Sequence, residues 1–231
     1  VGFNQRGTIL GLAASYGNTV MIGIALVGFA YGTEGQAVLF GLLSVHAIIM
    51  LTGATLILEW LKLRQGASAG KAQLPTHPAR SALEALWGAL RQPTTWPIVL
   101  GLAFSQTGLT IPLVIDRPLQ LLGNAFSPLA LILVGLTLST AQIGSHFKAA
   151  LVLSLLKNFV QPALVLGLGL LIGLRGLPLT VMVVAAALPM GANVFMFAQR
   201  YEESEDLITT SVSVSTVMAL GSVALAMVVM G

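Results

Sequence analysis

The chain predicts an all-α membrane protein, and three observations carry that prediction. Charged residues make up only 8% of the sequence, where soluble domains carry about 25%. Hydrophobic residues make up 56%, with a mean hydropathy of +0.91. The apolar residues fall into seven stretches close to the ~20 residues a bilayer crossing needs, at 9–31, 36–60, 94–112, 119–141, 149–174, 177–199 and 207–230. No soluble domain is left over.

The span 9–31 is interrupted by Tyr16-Gly17-Asn18-Thr19. Lipid cannot hydrogen-bond free backbone groups, so a helix break at membrane depth requires cover from protein or a wet cavity. The span 36–60 runs unbroken and holds His46 at its middle, where it can hydrogen-bond between packed helices or relay a proton. The linker 61–92 follows. Its segment Gln65–Pro78 is rich in Gly, Ala, Ser and Pro, and Ala79–Arg91 reads as a short amphipathic helix with Leu83, Leu86, Trp87 and Leu90 on one face. Trp60, Trp87 and Trp96 cluster near this linker as interfacial anchors.

The spans 94–112 and 119–141 come next, and 149–174 carries Lys157, the one basic residue well inside a span, beside Asn158 and Gln161. Intramembrane charge is costly and tends to be functional, although a long lysine stem also allows snorkelling to the interface. The span 177–199 contains a second break, Pro189-Met190-Gly191-Ala192-Asn193. The last span, 207–230, is rich in small residues, and the acidic cluster Glu202, Glu203, Glu205 and Asp206 stands at its N-terminus, where it suits the helix dipole. Two breaks in corresponding places are the strongest sequence pointer to a carrier's substrate site.

Basic residues set the orientation. The linker holds Lys62, Arg64, Lys71, Arg80 and Arg91 against the single acid Glu84, which makes it cytoplasmic. Alternating outward, Arg6, Lys148 and Arg200 also fall inside, only Arg117 and Arg175 fall outside, and the C-terminus faces outward. The expected location is the cell membrane, multi-pass (the inner membrane in a bacterium). The net charge of +3 fits contact with an anionic inner leaflet and calls for no nucleic acid. The linker divides the chain into 1–60, 61–92 and 93–231. The pair 9–31 and 36–60 resembles the pair 177–199 and 207–230. With the odd span count and Val1 at the start, this predicts two repeats, of which the first has three further spans outside this sequence.

The residues also carry a family resemblance. Gly17-Asn18-Thr19-Val20-Met21-Ile22-Gly23-Ile24 resembles the fourth-helix motif of the auxin efflux carrier family. Ala185-Ala186-Ala187-Leu188-Pro189-Met190-Gly191-Ala192-Asn193, with Ala198-Gln199-Arg200-Tyr201, resembles its ninth. Between them, Pro128-Leu129-Ala130-Leu131, Gly135 and Leu138 resemble the seventh helix, and Lys157 with Pro162 the eighth. The resemblance implies ten helices in two inverted repeats, with helices four and nine broken and crossing near the midplane. The seven spans here would be helices four to ten. It implies transport of organic anions, such as auxin, malonate or malate. One position departs from the family, which usually has proline where this chain has Ala25. Alanine favours helix, so the first break rests on Gly17 and Asn18 alone or is a milder kink.

The chemistry expected is binding. A broken helix presents unpaired amides at the partly positive N-terminus of its second half, and two such ends suit a carboxylate. The expected substrate-binding residues are Gly17, Asn18, Thr19, Gly191 and Asn193, with Pro189 shaping the break. Each asparagine could instead cap a helix or bond between helices. Lys157 and His46 are the candidates for charge or coupling. The coupling ion, H+ or Na+, is left open, and no cofactor is expected.

The absence of cysteine excludes disulfides and cysteine-ligated metal sites. The sequence contains no HExxH or phosphate-binding loop, and no acid lies deep in a span, so an enzyme is not expected. Two other readings stay open. One is a non-transporting membrane subunit or truncated remnant; the other is a sodium-coupled carrier of the bile-acid-symporter type. The glycine pairs Gly28/Gly32 and Gly169/Gly173 have the spacing for close helix packing, within one chain or in a homodimer.

Overall fold

A computed structural model of the protein describes residues 4–68, 100–101, 103–139 and 146–231. Apart from one isolated bridge, every regular element among these residues is a helix. The elements are α1 (Gln5–Ser15), a π-turn at Thr19–Gly23, α2 (Ile24–Ser68), α3 (Leu113–Ser139), α4 (Phe147–Leu171), α5 (Leu177–Ala187), α6 (Asn193–Arg200) and α7 (Glu205–Met230). Three stretches among the described residues are long and apolar enough to cross a membrane: Thr19–Leu61, Phe147–Leu171 and Glu205–Met230. The protein is an all-α membrane protein.

The expected spans 9–31 and 36–60 meet inside α2. The chain passes from one to the other through Gly32, whose φ of 61° and ψ of −157° kink the helix. Only glycine adopts that backbone without strain. The expected span 94–112 needs correction at its end. Its described helical residues stop at Ser105, after which Gln106–Gly108 turn and the chain runs without regular structure to Pro112. Helix α3 then begins at Leu113, ahead of the expected 119, because the Pro112 carbonyl accepts from Ile115 and Asp116 and starts the first turn. The amphipathic segment Ala79–Arg91, Trp87, Trp96 and most of the linker lie outside the described residues.

Contacts divide the chain into two compact units, Val1–Leu12 with Leu43–Thr110, and Ala13–Leu42 with Ile111–Gly231. In the first unit, Leu51, Ala54, Leu58 and Leu61 form a buried stripe at three- and four-residue spacing, the pattern of a helix with one packed face. In the second unit the core is α5. Leu179–Val181 and Val183–Ala187 are all buried, so this helix is apolar on every side and covered on every side. Helices α4 and α7 pack against it and against each other. Their outer faces expose Leu164, Leu168, Leu171, Leu225, Val228 and Val229, as expected of side chains that meet lipid.

Intrachain neighbours account for two of the spaced glycines. A Cβ at Gly169 would run into the Leu179 side chain of α5, and one at Gly28 would run into Gln36. Their partners in the pairs, Gly173 (φ 79°) and Gly32, sit at positive φ.

Candidate functional site

Both interruptions read from the sequence are breaks in the backbone, and both lie in the second unit. The first separates α1 from the π-turn. Helix α1 stops at Ser15, and Asn18 takes φ −78° and ψ 60°, outside the helical region. The Asn18 Oδ1 accepts from the Met21 amide at 3.3 Å, capping the next segment. That segment starts wide, with the Asn18 carbonyl accepting from both Ile22 and Gly23. Ala25 sits buried in regular helix beyond it. Of the two alternatives left by the missing proline, the first is observed: Gly17 and Asn18 suffice for a full break.

The second break has a simpler cause. Proline disfavours helical backbone in the residue before it, and Leu188 is extended at φ −61° and ψ 154°. Helix α5 therefore ends at Ala187, and α6 restarts at Asn193.

The two breaks lie side by side as a short antiparallel bridge between Gly17 and Met190. The Asn18 amide donates to the Pro189 carbonyl at 2.8 Å, and the Gly191 amide donates to the Tyr16 carbonyl at 2.9 Å. Gly191 permits this approach: a Cβ there would lie 2.7 Å from Tyr16 Cδ1 and 3.1 Å from the Gly17 carbonyl oxygen. Gly17 is less confined, since its Cβ would lie 3.4 Å from both the Ala185 oxygen and Lys157 Nζ. Gly17→Ala is accordingly expected to fold with a thermal midpoint within about 2 °C of wild type, a shift typical of substitutions costing under ~0.5 kcal/mol, as read by thermal unfolding in detergent.

Helix α4 supplies donors to the carbonyl ends of both breaks. Lys157 Nζ donates to the Ala186 and Leu188 carbonyls, each at 2.7 Å. Asn158 Nδ2 reaches the Ala187 carbonyl at 3.5 Å. On the other side, Gln161 Nε2 donates to the Ser15 carbonyl, the end of α1, at 2.6 Å. These three residues sit at or beside a π-turn, Leu156–Val160, where the Gln161 amide reaches five residues back to Leu156. Pro162 causes the widening, because it has no amide to give and its ring would clash with the Asn158 carbonyl in a regular turn. Such turns are frequent at functional sites. Lys157 and Asn158 are both fully buried.

Serines of α7 complete the support, and sequence reasoning did not single them out. Ser215 Oγ donates to Asn158 Oδ1 at 2.6 Å and accepts from the Met190 amide at 2.9 Å, so it links α4 to the second break. Ser222 Oγ accepts from Asn158 Nδ2 at 3.1 Å and donates to the Ala187 carbonyl at 2.9 Å. Ser211, Ser215 and Ser222 are buried at spacings of four and seven residues, which is one face of a helix. Asn158→Leu strips this network of its centre. It is expected to cost about 2–3 kcal/mol, because buried donors and acceptors lose partners, and to lower the thermal midpoint by roughly 5–10 °C.

The crossing thus gathers Gly17, Asn18, Thr19, Lys157, Pro189, Gly191 and Asn193 from the expected set. Thr19 is buried and opens the π-turn. Asn193 opens α6, and its Nδ2 donates to the Tyr16 hydroxyl at 3.2 Å. His46 lies half-buried on α2 in the first unit.

In this all-α membrane protein two broken helices are thus bridged, with their carbonyl ends covered and Asn18 and Asn193 heading the segments that follow. The family described as Membrane transport protein matches residues 3–227, and the chain belongs to it: it is a member of the auxin efflux carrier family. Auxin efflux carrier component 3a of Oryza sativa subsp. japonica is 32% identical over 166 residues, covering 67% of this chain and 27% of that protein. Auxin efflux carrier component 8 of Arabidopsis thaliana is 24% identical over 239 residues, covering 88% of this chain and 65% of that protein. An uncharacterized transporter of Methanothermobacter thermautotrophicus is 26% identical over 221 residues, covering 96% of this chain and 67% of that protein. The chain therefore spans about a quarter of the first of these relatives and about two thirds of the other two.

Proposed function

We propose that the protein is a secondary transporter that moves small organic anions, carboxylates such as malonate, malate or auxin-like acids, by alternating access at the cell membrane. The observation that carries this reading is the division of labour at the crossing. Lys157, Asn158, Gln161 and Ser222 cover the carbonyl ends of α1 and α5. The opposite ends, where Thr19 and Asn193 begin their segments, carry the amides and the positive end of the helix dipole. An anion is the ligand that such an arrangement favours.

In this reading Asn18, Thr19 and Asn193 offer side-chain groups to the carboxylate, and Gly17 and Gly191 let it approach the backbone. Lys157 contributes positive charge from behind the crossing. One repeat rocks against the other around the crossed helices. His46 stays a candidate for proton relay in the first unit. The linker faces the cytoplasm and the C-terminus faces outward, on the strength of the basic residues. A homodimer is compatible with this scheme and not required by it. The auxin efflux carrier names of the plant relatives support an organic acid as the substrate class.

The test is uptake into proteoliposomes containing the full-length protein, with labelled malonate, malate and an auxin offered beside their neutral amides. Uptake of at least one carboxylate, and of none of the amides, is the expected result. Equal uptake of acid and amide, or no uptake of any acid, refutes the reading.

A further inference from the structure

Lys157 does more at the crossing than sit near an anion, and its geometry identifies what it replaces. Its ammonium is fully buried and held by the Ala186 and Leu188 carbonyls at 2.7 Å each. Those carbonyls belong to the last turn of α5 and the extended residue that follows it. Carbonyls at the end of a half-helix and in the unwound segment beyond it are where carriers with broken helices coordinate their coupling cations. The negative end of the α5 dipole points at the same spot. Across the gap, Gly17 presents no side chain, and even a methyl group there would come within 3.4 Å of Nζ. Burying a lone ammonium is costly. Two short charge-assisted bonds and a helix C-terminus are what make it tolerable here.

We propose that this is a cation site occupied by the protein's own lysine: the Lys157 ammonium stands, tethered, where a mobile coupling cation would bind. The positive charge at the crossing is then permanent. Anion uptake should run at the same rate in sodium as in choline. That transport consequence rests on the carrier reading above, whereas the cation site itself rests on the geometry alone.

The experiment is thermal unfolding of the purified full-length protein in detergent, in choline, sodium or n-propylammonium chloride at equal concentration. The variants are Lys157→Ala, which empties the site, Lys157→Met, which fills it without charge, and Lys157→Gln, which keeps a neutral donor. Wild type is expected to unfold at one temperature in all three salts. Lys157→Ala should unfold at least ~5 °C lower in choline and recover a substantial part of that loss in n-propylammonium. Lys157→Met should unfold low in every salt, because its side chain blocks the site. Lys157→Gln should also unfold below wild type in every salt.

The proposal is overturned if Lys157→Ala unfolds alike in choline and n-propylammonium, or if Lys157→Gln matches wild type, since a neutral donor would then suffice. Should Lys157→Ala yield folded protein only when purified in n-propylammonium, that counts as recovery. Should it yield none in either salt, the glutamine variant decides. No transported anion enters this measurement, so it stands or falls separately from the carrier reading.

Discussion

Gly191→Ala is expected to open the crossing and to be among the most damaging single-methyl changes in the protein. The added carbon would stand 2.7 Å from Tyr16 Cδ1, 3.0 Å from Cε1 and 3.1 Å from the Gly17 carbonyl oxygen. Two of these atoms belong to a ring that is 5% exposed and whose hydroxyl accepts from Asn193, and the third is backbone. None can give way cheaply. Relief requires the two breaks to separate, which loosens the bonds from Asn18 to Pro189 and from Gly191 to Tyr16. Overpacking costs about 1–3 kcal/mol, and each loosened bond adds about 1 kcal/mol. A total of about 3–5 kcal/mol corresponds to a fall of roughly 6–20 °C in the thermal midpoint for a chain of this size. Thermal unfolding beside Gly17→Ala makes the comparison sharp, because there the same methyl group is added on the bridge's other strand. Equal midpoints for the two variants contradict the observed approach.

The second large effect is on ligand affinity and not on stability. Asn193 is half-buried at the start of α6, and among the described residues its side chain bonds through the 3.2 Å contact from Nδ2 to the Tyr16 hydroxyl. Asn193→Ala removes that contact at a cost of about 1 kcal/mol. If the amide also donates to a carboxylate, its loss removes a charge-assisted bond of about 1.5–3 kcal/mol, and affinity falls by roughly 10- to 100-fold. The expected signature is therefore a folded protein with a thermal midpoint within about 4 °C of wild type and a sharply weakened anion site. Asn18→Ala is a less clean probe, because Asn18 Oδ1 caps the π-turn and its removal disturbs the backbone as well.

The breaks were readable because glycine, asparagine and proline are hard to explain inside an apolar run unless the helix stops there. The extended Leu188 follows directly from Pro189. The full break at Tyr16–Asn18 follows from Gly17 and the capping amide of Asn18, and it needs no proline at position 25. Lys157 was legible as a buried charge, but its partners were not. Which carbonyl a lysine meets depends on how each helix rotates about its axis, and the π-turn at Leu156–Val160 shifts that rotation. The same rotation hid Ser215 and Ser222. The span 207–230 carries hydroxyls on most faces, so the spacing of Ser211, Ser215 and Ser222 stood out only once their burial was known. That Gln161 serves the end of α1 while Asn158 serves the end of α5 depends on the same rotation. The spans 9–31 and 36–60 part at Gly32, whose φ of 61° is non-helical, in the short stretch the sequence left between them.

The most direct test of the central claim, that the bridged breaks form an organic-anion site, is equilibrium binding of labelled carboxylates to purified full-length wild type and Asn193→Ala side by side. Malonate, malate and an auxin make a sufficient panel. The account predicts that wild type binds at least one of them saturably and that the variant, still folded, binds it at least ~10-fold more weakly. Undiminished binding by a folded Asn193→Ala protein would contradict it.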